Sequence, residues 1–212
     1  MERKPHNKII PATVPGHWKL LAESFYLGED VVKIARDLLG KILLTGFEPG
    51  LTAGRITETE AYNGTVDRAS HAYQGRRTAR TEIMYRKGGH AYVYLCYGMH
   101  HLFNVVTNLA GIPHAVLIRG IEPVLGVEIM EQRTGKKALS GKLGKGPGNV
   151  SKALGIHTGH TGRNLFDQQI MLAADGFPIP PGTIRTSPRI GIAYAGPDAD
   201  LPYRFYLKSS HD

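Results

Sequence analysis

Cysteine occurs once in these 212 residues, at Cys96, so no internal disulfide can form and the fold must be held by burial. Long apolar runs are missing too, since nothing approaches the ~20 consecutive residues that cross a bilayer. The opening MERKPHNKIIPATVPG has charges and prolines where a signal peptide has an apolar core. No membrane partner and a cytoplasmic location are expected. There is no G-x-S-x-G elbow, no H-x-x-x-H, H-E-x-x-H or cysteine pair, and no G-x-x-x-x-G-K-[ST] loop. The common signatures of serine hydrolases, zinc sites and nucleotide-binding loops are therefore absent. Acid is absent as well between Glu131 and Asp167, a stretch holding Arg133, Lys136, Lys137, Lys142, Lys145, Lys152 and Arg163 among Gly and Ser.

What is present starts with a formal net charge of +8. A second basic stretch, Arg68, Arg76, Arg77, Arg80, Arg86 and Lys87, lies between two strand signals. One such loop is as readily a solvated face as a binding surface. Two together favour a polyanion, with each cation releasing counterions when it meets a backbone phosphate. The run GKLGKGPGNVSK adds glycine amides ahead of a predicted helix, among them that of Gly148, which could hold a phosphate beside Lys145.

Residues 1–17, with Pro5, Pro11 and Pro15, read as a flexible arm, and residues 18–212 as one domain. EDVVKIARDLLGK has helical spacing, VLGVEIMEQRTG and NVSKALGI predict two more helices, and strands are predicted in KILLTGF, AGRITETEAY, AYVYLCYG, HLFNVVTN and HAVLIRGIEP. IMLAAD, PRIGIAYAG and YRFYLK are later strand candidates. Short connections imply a meander, and the expected class is α+β: a curved, mainly antiparallel sheet, open-barrel or roll-like, with flanking helices.

In RITETEAY, alternation puts Ile56, Glu58, Glu60 and Tyr62 on one face and Thr57 and Thr59 on the other. If that face lines a pocket, a partly desolvated carboxylate is poised as a general base; if it meets solvent, both acids are ordinary. Alternation does not rank Glu58 against Glu60. The acids and histidines nearby lack metal-ligand spacing, and no metal or other cofactor is expected. Every lysine sits in a polar or loop context, which gives no sign of a Schiff-base nucleophile. Six of the ten tyrosines fall between Tyr62 and Tyr97, next to the basic loop. Rings and cations together are what a protein needs to hold a splayed-out base, although Tyr92 is read as core. Tyr97 stands at a hairpin tip, before Gly98, where Asn, Asp or Gly is usual.

The segments RITETEAYNG, ASHAYQGRRTAR, YVYLCYGMHHLFNVV, AVLIRGIEP, GKGPGNVSKALGI and SPRIGI closely resemble, in the same order, the motifs of the alkyladenine (3-methyladenine) DNA glycosylase family. The resemblance runs from about Phe25 to the end. It implies a monofunctional DNA repair enzyme that flips alkylated or deaminated purines out of the duplex and hydrolyses the N-glycosidic bond with water, leaving an abasic site. Glu60 matches the general base, and Arg119 and the backbone of Ile190 match the groups holding the water. Tyr62, His71 and Tyr94 match the walls of the base pocket, and Asn104 the residue that crowds a guanine 2-amino group. Tyr97 matches the wedge that enters the minor groove, with Met99 beside it, while Arg76, Arg77, Arg80, Lys145 and Gly148 are the expected phosphate contacts. The implied partner is double-stranded DNA with a damaged purine, met by a monomer, at the nucleoid if the source is prokaryotic. The chain departs from the pattern at Asn149, where the family commonly has Lys, and at His100 and His101. Two rival readings remain, a non-catalytic minor-groove binder and a metal-dependent nuclease using Glu58, Glu60 and His71.

Overall fold

A computed structural model describes residues 14–208, so most of the expected arm and the last four residues lie outside the described part. In chain order the elements are β1 (Lys19–Leu20), α1 (Glu23–Tyr26), α2 (Val31–Asp37), β2 (Ile42–Phe47), β3 (Gly50–Tyr62), β4 (His90–Cys96), β5 (His100–Thr107), β6 (His114–Leu125), α3 (Val127–Thr134), α4 (Pro147–Leu154), β7 (Ile170–Ala174), β8 (Ile184–Ser187) and β9 (Arg204–Leu207). The strands form one curved antiparallel sheet in the order β1-β7-β2-β3-β6-β5-β4. β9 pairs with β3 at Glu58–Glu60, beyond the reach of β2, and carries β8 on its other side.

Helix α2 forms as its spacing dictates. The Asp30 carboxylate caps it by accepting from the Val32 and Lys33 amides at 2.9 Å, and Val31, Ile34, Ala35 and Leu38 are buried against the sheet. α2 packs on β3 and β6, α4 on β5 and β6, and α3 on α4. The core lies between these helices and one sheet face, with Ile56, Ala61, Phe103, Val116, Ile118, Val150 and Leu154 at its centre. The opposite face of β3, β4, β5 and β6 is left for the site.

Three expectations are corrected. The sheet is not a simple meander: β6, not β4, lies beside β3, because residues 63–89 wander through three 3-10 turns before β4 begins at the sheet edge. PRIGIAYAG is not a strand. Pro188 has no amide to give a ladder and Gly191 is left-handed (φ 77°), so residues 188–192 form a loop that runs into a 3-10 helix at Ala193–Asp200. VLGVEIMEQRTG divides at Gly126, also left-handed (φ 69°), where β6 has just ended and α3 starts.

Strict alternation also fails inside β3. Register shifts on either side of Glu58 mark a bulge at Thr57–Glu58, opposite Gly120 of β6. Ile56 thereby joins the core with Ala61, and Thr59 donates its hydroxyl to the Ala35 carbonyl of α2 at 2.7 Å. Glu58, Glu60 and Tyr62 turn the other way. Gly120 makes room for this: a Cβ there would lie 2.8 Å from Thr57 Oγ1 and 2.9 Å from Glu58 Cβ. Gly120→Ala is expected to destabilise the fold by about 1–3 kcal/mol through overpacking, read as a lower urea midpoint at unchanged m-value. A midpoint within error of the wild type would show that the bulge has slack.

Candidate active site

The bulge delivers Glu60 into a fully buried position, with no exposed surface at all. Three donors meet its carboxylate. The Ile190 amide reaches Oε1 at 2.8 Å, the Tyr62 hydroxyl reaches Oε2 at 2.9 Å, and Arg119 Nε lies 3.3 Å from Oε1. Burial outweighs them and pushes the carboxyl above the ordinary glutamate range, while Arg119, the Ile190 amide and Tyr62 pull it back and Glu58 adds a small push upward. Tyr62 itself is held far above its ordinary value by burial and by Glu60, so it stays a donor.

Arg119 is shared. Its Nε lies 2.9 Å from Glu58 Oε1, which also receives Arg204 Nε of β9 at 2.6 Å, and Arg204 reaches Ser187 Oγ at 3.0 Å. Two carboxylates and two guanidiniums thus alternate along one row. The loop bearing Ile190 is fixed by its neighbour: Arg189, fully buried, forks onto Asp67 at 2.5 and 2.8 Å, donates to the Ala61 carbonyl at 2.8 Å and lies 4.8 Å from the centre of the Tyr62 ring.

In front of Glu60 opens a cavity of about 760 Å³. Tyr62, Arg119 and Ile190 form its wall over the carboxylate, and His71, Tyr94 and Asn104 also line it. Tyr92 is buried, as its strand position predicts, and its hydroxyl meets His71 Nδ1 at 2.7 Å, while the His71 ring stands edge-on to Tyr94 with centres 4.6 Å apart. Burial, with Arg80 and Arg76 adding to it, lowers the His71 pKa to about 4, so the imidazole is neutral near pH 7. Asn104 is buried and directs its amide nitrogen to the Tyr92 and Leu102 carbonyls at 3.1 and 3.2 Å.

Tyr97 stands at the mouth, 88% exposed, in the left-handed region (φ 50°) with Gly98 (φ 70°) after it. The Met99 amide closes the turn on the Cys96 carbonyl at 3.1 Å, and the Met99 side chain is exposed. A tyrosine in that backbone conformation costs about 1–2 kcal/mol, which a turn Gly or Asn would avoid. Of the expected phosphate contacts, Arg80 and Gly148 line the cavity and Arg76 and Lys145 are exposed outside it. Arg77 is engaged: it forks onto Glu82 at 2.8 and 2.6 Å and lies 4.6 Å from the Tyr85 ring centre.

With that geometry in view, the profile of the methylpurine-DNA glycosylase family matches residues 24–211. The chain belongs to that family. Proteins of Chlamydia felis and Desulfitobacterium hafniense named as 3-methyladenine DNA glycosylases are 47% and 43% identical to it, over 89% and 91% of this chain and 96% and 97% of their own lengths. A Myxococcus xanthus protein of the same name is 43% identical over 90% of this chain and 91% of its own. As a methylpurine-DNA glycosylase the chain is a DNA repair enzyme acting on DNA.

Sequence reasoning missed four residues that shape this glycosylase site. Arg189 stood inside the quoted SPRIGI, and Asp67 among the nearby acids, but nothing in the sequence pairs them. Arg204 has no local signal, since β9 reaches β3 across the whole chain. Lys136, which lines the cavity, was one of seven cations in the acid-free stretch. Arg133 from that stretch is structural instead, donating to Thr52 Oγ1 and the Phe47, Glu48 and Ala153 carbonyls at 3.0–3.1 Å. Among the described residues no group of three or more His, Cys, Asp or Glu is placed to hold a metal ion.

The raised Glu60 value has a consequence for stability. Below the unfolded glutamate pKa of about 4.3 the group is neutral in both states, whereas at pH 7 the native state carries a buried charge that its environment disfavours. Glu60→Gln is therefore expected to melt at a higher temperature than the wild type at pH 7, the gain shrinking as pH is lowered to 4. Equal or lower melting at pH 7 would mean that the three donors hold the charge better than burial opposes it.

Proposed function

We propose that the enzyme draws a damaged purine out of duplex DNA from the minor groove, seats it in the 760 Å³ cavity and hydrolyses its glycosidic bond with a water activated by Glu60. The observation that carries this is a fully buried carboxylate immediately behind a cavity walled by Tyr62, His71 and Tyr94. Glu60, Arg119 and the Ile190 backbone form the group that holds the attacking water at the sugar C1′. As the bond breaks, positive charge grows on the sugar, and an ionised Glu60 stabilises it while taking the water's proton. The released base leaves an abasic site, and no lysine is needed for that step.

A purine alkylated at N3 or N7 is cationic and already a good leaving group. Stacking it on tyrosine rings adds cation–π attraction of about 0.5–2 kcal/mol. Neutral lesions such as hypoxanthine require a proton on the departing base. Neutral His71 is a weak acid for that purpose, so it serves by hydrogen bonding and cationic lesions leave faster. Asn104 crowds the 2-amino group of an intact guanine. Tyr97 fills the gap left in the stack, with Met99 in the groove beside it, and Arg76, Arg80, Lys145 and the Gly148 amide meet phosphates. One chain suffices for this arrangement, in which a monomer lies along the duplex.

The test is base release from duplexes bearing one 3-methyladenine, 7-methylguanine, hypoxanthine or ethenoadenine, with EDTA present. Free base and a heat-labile abasic site are expected, 7-methylguanine leaving faster than hypoxanthine. Glu60→Gln should lose release and keep lesion binding, and Tyr97→Ala should weaken binding. Duplexes intact both with and without EDTA would favour the non-catalytic groove binder, and strand cleavage seen only when EDTA is omitted and divalent metal supplied would favour the nuclease.

A further inference from the structure

Ion pairs sort the cations around the cavity. Lys137 is paired with Glu131 at 2.8 Å and Arg77 with Glu82, and Arg119 faces Glu58 and Glu60. Lys136 differs from all three. Among the described residues no carboxylate pairs with it, and its ammonium is bound to a neutral acceptor, Asn149 Oδ1, at 2.8 Å. It is half-buried and lines the cavity next to Pro147 and Gly148.

Asn149 holds the ammonium from a fixed base. Its amide nitrogen donates to the Lys145 carbonyl at 2.6 Å and the Lys142 carbonyl at 3.4 Å, so its oxygen is turned toward Lys136. The main chain of Lys136 is also tied, its amide donating to Thr134 Oγ1 at 3.2 Å just after the left-handed Gly135 that ends α3. An ammonium has three donors, and one is used by Asn149. The other two, with the full positive charge, remain for an anion at the cavity mouth.

We propose that Lys136 is a phosphate-binding residue of the enzyme, aimed by Asn149 at the backbone of the nucleotide whose base enters the cavity. The assignment rests on the glycosylase reading above. Asn149 is a positioning residue: it carries no charge of its own, and it places the charge of Lys136 where a cation meets the DNA backbone. A purely structural tether between α3 and α4 would need the hydrogen bond but not the charge.

The salt dependence of binding separates the two. Affinity for a duplex containing a tetrahydrofuran abasic analogue, which cannot be hydrolysed, is measured between 50 and 250 mM NaCl. Losing one phosphate contact makes the negative slope of log K against log salt shallower, a drop of about 0.9 in its magnitude. Lys136→Met is expected to show that drop with base release slowed, Lys136→Arg to keep the wild-type slope, and Lys137→Gln, already neutralised by Glu131, to keep it too. Asn149→Asp leaves the lysine in place and sets a carboxylate against it; it should reproduce the drop, which keeps the test usable if Lys136→Met folds poorly. An unchanged slope in Lys136→Met or Asn149→Asp, or an equal drop in Lys137→Gln, overturns the assignment. If the slopes behave as expected but the wild type releases no base from any lesion duplex, the glycosylase reading fails instead.

Discussion

A carboxylate sealed from water is the constraint around which the site is arranged. Glu60 has no exposed surface, and an isolated charge in such a place would be prohibitive. The Ile190 amide, the Tyr62 hydroxyl and Arg119 make it tolerable without making it comfortable. Each of those donors needs its own support. Arg189 and Asp67 fix the loop that presents the Ile190 amide, and the same guanidinium lies over the Tyr62 ring. Glu58 holds Arg119 from the side, and Arg204 balances Glu58 so that two acids can sit on one strand face. The bulge in β3 and the missing side chain at Gly120 make all of this geometrically possible. A carboxylate that is desolvated yet surrounded by several donors, and not neutralised by a single tight ion pair, has the environment that the proposed role of general base requires.

Much of the fold was legible because local rules decide it. The α2 pattern, with Asp30 ahead of it, and the β-branched runs of β2 to β6 formed where their periodicity puts them. Sheet order was not legible, since nothing local says that β6 rather than β4 will lie beside β3. The loop at 188–192 was misread because IGIAYA has the composition of a strand, while Pro188 and Gly191 override it. Inside β3, period-two counting put Ile56 with the glutamates; a bulge adds one residue, and only the partner strand reveals it. The preference for Glu60 over Glu58 came from the resemblance alone. The structure supplies the physical difference: Glu60 is buried and backed against the cavity, whereas Glu58 is bound by two arginines.

Charge was the least legible property. The sequence marks thirteen cations in two loops, and the fold gives them different tasks. Arg133 knits α3 to the β2–β3 hairpin, Arg77 and Lys137 are neutralised by neighbouring acids, and Arg68 and Lys87 face Asp198 and Glu23. Surface pairs of this kind contribute little to stability, about 0–1 kcal/mol each. Their effect is to decide which cations keep an unbalanced field. Net charge therefore only narrows the class of partner, while the pattern of pairing shows which of these cations are already engaged by neighbouring acids.

The β4–β5 hairpin ties these themes together. Alternation along β4 aims Tyr92 and Tyr94 at the same side, one buried against His71 and the other lining the cavity. At the tip the backbone leaves the strand conformation, and left-handed Tyr97 is thrown out of that register into solvent. A turn chosen for stability alone would place Asn or Gly there, so the cost of the ring has to be repaid outside the free protein. In the proposed reaction the duplex repays it, because the vacated stack offers the apolar slot that water cannot. Because Tyr94 and Tyr97 belong to one short hairpin, the proposed reaction couples the depth at which Tyr97 would enter the groove to where the extruded base would stand against Tyr94. A loosened tip would then misplace the glycosidic bond relative to Glu60 even with every catalytic group intact.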